Sequence, residues 1–135
     1  MFKKLIAGVA LAGALAGLGI SSNTNAASAS ATGCTRFGSV NQNAFCLYTS
    51  GSGTYLSYDR ANFTMVGTMC NYFFRFTLYD TSGNLYYTYT FPTHVGCNVS
   101  ATYQLNFNQT VRAGKTCASV YSNGSLQTKA CNSIY

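Results

Sequence analysis

Residues 70–80 read CNYFFRFTLYD, residues 81–84 read TSGN and residues 85–91 read LYYTYTF. The first and third segments alternate between apolar and mixed side chains, which is the two-residue period of a β-strand with one buried face. Gly83 and Asn84 tolerate the positive φ that a tight turn needs. The stretch therefore predicts a β-hairpin. Because a lone hairpin is marginal in water, its apolar face must pack against a second sheet.

Outward from this hairpin, short apolar segments alternate with turn signals. Strands or short apolar segments are predicted over residues 44–49, 54–58, 63–69, 103–108, 116–121 and 126–131. Ser-Gly-Ser-Gly at residues 50–53 and Asn-Gly at residues 123–124 supply hairpin turns. Seven or eight strands without an amphipathic helix predict an all-β fold. The expected form is a disulfide-stapled antiparallel β-sandwich, with a small β-barrel as second choice.

The first 26 residues are predicted to be a secretory signal peptide. Two lysines precede an apolar run over residues 5–20, and small residues follow it, with cleavage expected after Ala26 or, alternatively, after Ala29. The run is short against the roughly 20 residues of a spanning helix, so no membrane span is predicted in the mature protein. Residues 27–33 are expected to form a disordered lead-in and residues 34–135 a single secreted domain of bacterial type.

Six cysteines remain in the mature chain, and an even number in a small exported protein predicts a disulfide framework. Six cysteines allow 15 pairings. Proximity along the predicted hairpins favours the pairs Cys34–Cys46, Cys70–Cys97 and Cys117–Cys131. A two-residue Asn123-Gly124 turn would place Cys117 opposite Ala130, so the third bond requires a bulge or one extra loop residue.

The charge of the mature chain excludes one class of partner. Six basic and two acidic residues remain after the signal, a net charge of +4, and the basic residues are spread singly along the chain. Nucleic-acid binding usually needs a basic patch or a known motif, so no nucleic-acid partner is predicted. The charge supports a weak attraction to anionic cell walls or membranes.

The residues available for catalysis are few. The chain lacks Glu, and Asp59 and Asp80 are interpreted as turn residues. His94 is the only histidine, and no Gly-x-Ser-x-Gly motif accompanies it. Cys-x-x-Cys spacing is absent as well, so neither a metal site nor a cofactor is predicted. With every cysteine assigned to a disulfide, the sequence predicts a protein that is not an enzyme.

The chain has eleven tyrosines and nine phenylalanines but no tryptophan. Most are assigned to strand faces and the core, where aromatic residues are common. The side of the central hairpin that carries Phe73, Tyr79 and Tyr86 is expected to be exposed and to offer a surface to a partner.

Residues 43–49 read NAFCLYT and are followed by the Ser-Gly-Ser-Gly turn. This segment resembles the start of small secreted actinobacterial metallopeptidase inhibitors of the βγ-crystallin-like type. The resemblance covers residues 43–53 and implies a secreted inhibitor. The rest of the chain departs from that pattern in its tyrosine-rich hairpin and extra cysteines, and no inhibitory residue is carried over.

These features lead to the hypothesis of a secreted, monomeric, non-enzymatic binding protein. Its expected partner is an extracellular protein or a cell-envelope component, and protease inhibition is the most concrete version. The candidate contacts lie in two loops, formed by Ser50, Gly51, Ser52 and Gly53 and by Thr93, His94, Val95 and Gly96. One alternative is an antimicrobial or toxin protein that acts on competing cells. Another is a cell-surface or spore-coat structural protein whose strand edges pair between molecules.

Overall fold

The computed structural model describes residues 30–135, so the predicted signal peptide lies outside the described residues. Antiparallel strands dominate this range and no helix occurs in it, which confirms the all-β prediction. The strands are β1 (Ser30–Arg36), β2 (Ala44–Ser52), β3 (Tyr55–Asp80), β4 (Leu85–Thr90), β5 (His94–Thr110), β6 (Gly114–Ser122) and β7 (Ser125–Ile134). Nothing helical in this range is therefore long and apolar enough to cross a membrane.

Strand β3 organises the whole domain. The sequence predicts three separate segments over residues 54–79, whereas the structure joins them into one strand of 26 residues. Its pairing with β5 is interrupted between Thr64 and Met69, and Gly67 at this point has φ 94°, a conformation that suits glycine. The strand bends here, so that its two halves face each other and the rings of Phe63 and Phe74 lie 6.1 Å apart.

The other strands flank the two halves of β3. Strands β1 and β2 continue the sheet from the first half, and β6 and β7 continue it from the second half, in the order β1-β2-β3-β6-β7. Strands β5 and β4 lie along the opposite edge of β3. Strand β5 pairs with β3 over residues 55–72, and β4 pairs with it over residues 75–79. The result is a barrel-like sheet with two junctions that strand pairing along this path does not close, one between β1 and β7 and the other between β4 and β5.

One lateral side closes where β1 meets β7. The Thr35 hydroxyl donates to the Lys129 carbonyl oxygen at 2.9 Å. A Cβ atom on Gly33 would lie 2.7 Å from the Cys131 carbonyl oxygen, closer than side chains tolerate. Glycine at this position therefore allows the two strands to approach. The predicted disordered lead-in was wrong for residues 30–33, because β1 pairs with β2 from Ser30 onward.

The interior is filled mainly by aromatic side chains. The main core cluster draws on β2, β3, β6 and β7 and includes Phe45, Leu47, Phe63, Phe74, Phe76 and Val120. Phe45 and Phe74 are fully buried, and their ring centroids lie 5.5 Å apart. A smaller cluster fills the end of the barrel and consists of Leu56, Leu78, Phe107, Val111 and Ile134.

All three predicted disulfides are present in the structure. They join Cys34 to Cys46, Cys70 to Cys97 and Cys117 to Cys131, and each joins residues that face each other on paired strands. The third bond is possible because the β6–β7 register shifts between Val120 and Tyr121, which is the bulge that the sequence required. Three disulfides are consistent with an oxidising, extracellular environment.

Candidate functional site

The two predicted contact loops are mostly strand. Residues 50–52 belong to β2, and a Cβ atom on Gly51 would lie 2.1 Å from the Tyr55 carbonyl oxygen. This hairpin end is therefore tightly closed and does not project as a loop. Residues 94–96 belong to β5, where Val95 is 83% exposed. Of the two segments, only this corner between β4 and β5 presents an exposed apolar side chain.

His94 lies in a small polar cluster at that corner. Its ring stacks on Tyr72 with centroids 4.9 Å apart, and its Nε2 atom lies 3.1 Å from Nδ2 of Asn98. The same Asn98 amide donates to the Tyr72 hydroxyl at 2.7 Å. None of these contacts involves a carboxylate, so the described part of the chain does not assemble a Ser-His-Asp arrangement around His94.

Asp59 is not a turn residue, as the sequence suggested, but is fully buried inside the barrel. Its carboxylate accepts hydrogen bonds from the hydroxyls of Thr49 and Thr116. Burial raises the pKa of Asp59 to about 6, although both hydrogen bonds act to lower it. A carboxyl group enclosed in this way is closed to a substrate and belongs to the core.

The Asp59 cluster extends across the barrel through Asn132. The Nδ2 atom of Asn132 donates to Oγ1 of Thr49 at 2.9 Å and to the carbonyl oxygens of Leu47 at 3.0 Å and Ala31 at 3.3 Å. Including Thr116, this buried polar network touches β1, β2, β3, β6 and β7. Buried polar groups need such partners, and here they tie together all five strands of the closed side.

Asp80 does occupy a turn, as predicted. Its Oδ1 atom accepts from the backbone N–H groups of Ser82 and Asn84, both at 2.9 Å. The hydrogen bond from Asn84 is the main reason that the pKa of Asp80 lies below its ordinary value. The two aspartates are thus engaged in separate structural roles. Paired-carboxylate chemistry would require both in one cleft.

The second lateral side of the barrel, between β4 and β5, has a different character. Both strands pair with β3, and neither pairs with the other. They meet through side chains, with Phe91 and Tyr103 ring centroids 5.0 Å apart. We call the inner-face side chains at this junction, Tyr89, Phe91, Tyr103 and Leu105, the β4–β5 seam.

The seam is apolar and half-open to solvent. Tyr89 is 40% exposed and packs edge-on against Phe91 at 5.0 Å, while Phe91, Tyr103 and Leu105 are partly buried against the core. Burial raises the pKa of the Tyr103 hydroxyl, which is the effect of a partly dehydrated surface. Aromatic side chains in this intermediate state are common in protein interfaces.

One backbone edge of β5 lies open beside the seam. Strand β5 is 17 residues long, and residues 98–106 have β3 as their only strand partner within residues 30–135. Residues 81–111 contain no Asp, Glu, Lys or Arg. Natural proteins usually protect an open strand edge with charges, prolines or bulges. The uncharged stretch was visible in the sequence, but its position on an open edge was not.

The predicted exposed side of the central hairpin is instead half-buried. Phe73 and Tyr121 stack with centroids 4.7 Å apart, and the Arg75 guanidinium lies over both rings. The Arg112 guanidinium lies 4.6 Å from the ring centroid of Tyr86. Folding therefore covers these rings with cations.

Comparison with protein-family models, curated proteins and solved structures gives no match. Within residues 30–135, no group of three or more potential metal-ligating side chains comes together. What the described geometry does provide is a rigid, disulfide-linked barrel with one apolar, uncharged and half-open side. Exposed apolar surface of this kind is typical of sites that bind another molecule.

Proposed function

We propose that this protein is a secreted, non-enzymatic binding protein that recognises an extracellular protein through the β4–β5 seam. The observation that carries the proposal is the open edge at residues 98–106, which lies beside partly exposed aromatic rings and contains no charged residue of its own. A partner segment in extended conformation could pair its backbone with this edge and pack its side chains against the neighbouring aromatic rings.

The proposed binding mode is strand addition. An extended segment of the partner pairs its backbone with β5, and its alternate side chains pack on Tyr89, Phe91 and Tyr103. The Cys70–Cys97 disulfide joins β3 to β5 and holds the edge in place before binding. Binding to a pre-ordered edge avoids part of the entropy loss that weakens association.

Protease inhibition is the most concrete version of this function. Val95 and the rest of the segment at residues 93–96 lie at the corner where β4 passes into β5, and this corner could contact a protease together with the seam. We would titrate the oxidised mature protein against several secreted proteases. Inhibition that saturates near one equivalent and is lost on reduction supports this version, whereas untouched proteases or digestion of the protein removes it.

A broader test does not depend on the identity of the partner. Random peptides displayed on phage are selected on the oxidised protein, and the dissociation constant of each enriched peptide is measured by calorimetry. We expect Tyr89→Lys to weaken binding about tenfold or more, because it places an ammonium group in the apolar seam. Thr88→Lys adds the same charge on the opposite, exposed face of β4 and should change binding less than about twofold.

Three results would contradict the proposal. Equal weakening by the two lysine variants would show that net charge matters and the seam does not. Concentration-dependent self-association in sedimentation, abolished by Tyr89→Lys alone, would make a second copy the occupant of the edge. Sustained turnover of a substrate that is lost in His94→Ala would show that the protein is an enzyme.

A further inference from the structure

The outer face of β3, β6 and β7 gathers cations that are far apart in the sequence. Arg75 of β3 pairs with Ser119 of β6, and Ser119 pairs with Lys129 of β7. Lys115 pairs with Tyr79 on the same face. We call Arg75, Lys115 and Lys129 the cationic face. It holds three of the six basic residues in residues 30–135.

The two lysines converge on one tyrosine. The Nζ atoms of Lys115 and Lys129 lie 5.3 and 5.2 Å from the ring centroid of Tyr79, and Lys129 Nζ is 3.5 Å from the hydroxyl oxygen. Burial acts to raise the pKa of Tyr79, but the hydrogen bond from Lys129 and the charges of both lysines contribute to a pKa below the ordinary value. The hydroxyl group therefore lies in a region of positive potential.

Both acidic side chains of the chain have partners other than these two lysines. The chain has only two acidic side chains. Asp59 is enclosed in the barrel, and Asp80 accepts backbone hydrogen bonds in its turn. An open groove of about 430 Å³ beside Lys115 is lined by Asp80 and Tyr135 as well, and the Asp80 carboxylate makes that groove unfavourable for an anion. The favourable position is between Lys115 and Lys129.

The position is also held rigidly. The Cys117–Cys131 disulfide joins β6 to β7 between the two lysines. Cys117 lies on the same face of β6 as Lys115 and is fully buried there. The backbone positions of the lysines are thereby fixed relative to each other. Donors held in place lose less entropy when a ligand binds than donors on a mobile segment do.

We propose that Lys115, Lys129 and the Tyr79 hydroxyl form a binding site for phosphate groups carried on an anionic polymer or surface outside the cell. The two ammonium groups donate charge-assisted hydrogen bonds to phosphate oxygens, and the Tyr79 hydroxyl donates a third. Arg75 adds long-range attraction, since its guanidinium is engaged with Tyr121 and Thr90. This site is independent of the β4–β5 seam, so either proposal can fail alone.

The test uses the oxidised mature protein with two probes, long-chain inorganic polyphosphate and phosphatidylcholine vesicles that contain phosphatidylglycerol. Lys115→Gln combined with Lys129→Gln is expected to weaken binding about tenfold or more at low salt and to flatten the salt dependence. Arg36→Gln combined with Arg60→Gln removes the same charge from exposed positions elsewhere and should weaken binding less than about threefold. Tyr79→Phe should give an intermediate loss.

Each outcome is decisive. If the double lysine variant binds polyphosphate more weakly than the double arginine variant does, the site is supported and a polymer is the source of the phosphate groups. If the difference appears only with vesicles, the site is supported and lipid headgroups are the source. Equal losses in both charge variants would show attraction by net charge alone and overturn the proposal. An absence of binding to either probe would overturn it too. Tyr89→Lys serves as a further control and should leave phosphate binding intact.

Discussion

Replacing Asp59 by Asn is expected to raise the free energy of unfolding by about 3 kcal/mol near pH 7.5 and to leave it nearly unchanged near pH 3.5. The side chain keeps its shape and can still hydrogen-bond to Thr49 and Thr116, whose hydroxyls now contact the carboxylate. What the substitution removes is the cost of holding a negative charge inside the barrel.

The sign follows from the direction of the pKa shift. Burial raises the pKa of Asp59 from its ordinary value of 3.8 to about 6, so the folded protein holds this proton more tightly than the unfolded chain does. The stability that protonated Asp59 contributes to the folded state is fully present below about pH 3.8 and is lost as the pH rises through about 6. A difference of about two pKa units corresponds to about 3 kcal/mol.

Denaturant unfolding of the oxidised protein across this pH range measures the effect. Asp80→Asn is the matched control, because the pKa of Asp80 is lowered, mainly by the Asn84 backbone N–H. The stability that Asp80 contributes is present above its ordinary pKa and is lost as the pH falls, which is the opposite trend. If Asp59→Asn destabilised the protein equally at all pH values, the hydrogen bonds of the carboxylate would outweigh its burial.

Replacing Asn132 by Ala is expected to lower the free energy of unfolding by about 3 kcal/mol or more. The amide of Asn132 donates to Thr49 Oγ1 and to two backbone carbonyl oxygens, those of Leu47 and Ala31. Removing it leaves buried acceptors without this donor and empties space beside Gly33, whose Cβ position lies 2.7 Å from the Asn132 amide oxygen. Both effects act where β1 meets β7.

Denaturant unfolding and hydrogen exchange of the β1 amides check this prediction together. We expect faster exchange in β1, because Asn132 connects it to β7 and β2. Asn106→Ala is the control, since Asn106 is exposed on β5 and should cost less than about 0.5 kcal/mol. Similar losses in both variants would show that the network does not hold the barrel closed.

Much of the local structure is predictable from spacing along the chain. The hairpin at residues 70–91 and the three disulfides depend on residues that are close in sequence or opposite each other on adjacent strands. Even the bulge in the β6–β7 hairpin follows from register, because Cys117 and Cys131 can pair only if one residue is skipped. Alternation and turn chemistry act over a few residues, and sequence patterns report them directly.

The candidate sites are predictable only in part. The uncharged stretch at residues 81–111 is plain in the sequence, yet nothing in it shows that residues 98–106 form an open edge. Lys115 and Lys129 look isolated along the chain and become neighbours of Tyr79 only through strand pairing. Asp59 resembles a turn residue because its sequence neighbours are polar, whereas its burial comes from β2 and β6.

The sequence by itself determined the β class and the central hairpin and favoured the disulfide pairs that the structure shows, since each depends on short-range periodicity and on the geometry of adjacent strands. Tertiary structure alone decided that β3 is one bent strand, that Asp59 is internal, that cations share a face and that one side of the barrel stays open. Those features depend on contacts between different strands, some of them far apart in sequence, as between Thr49 and Asn132, which are 83 positions apart. Which of these residues are buried, and which charged residues become neighbours, depends on the order in which the strands pair around the barrel. Local sequence patterns do not encode that order.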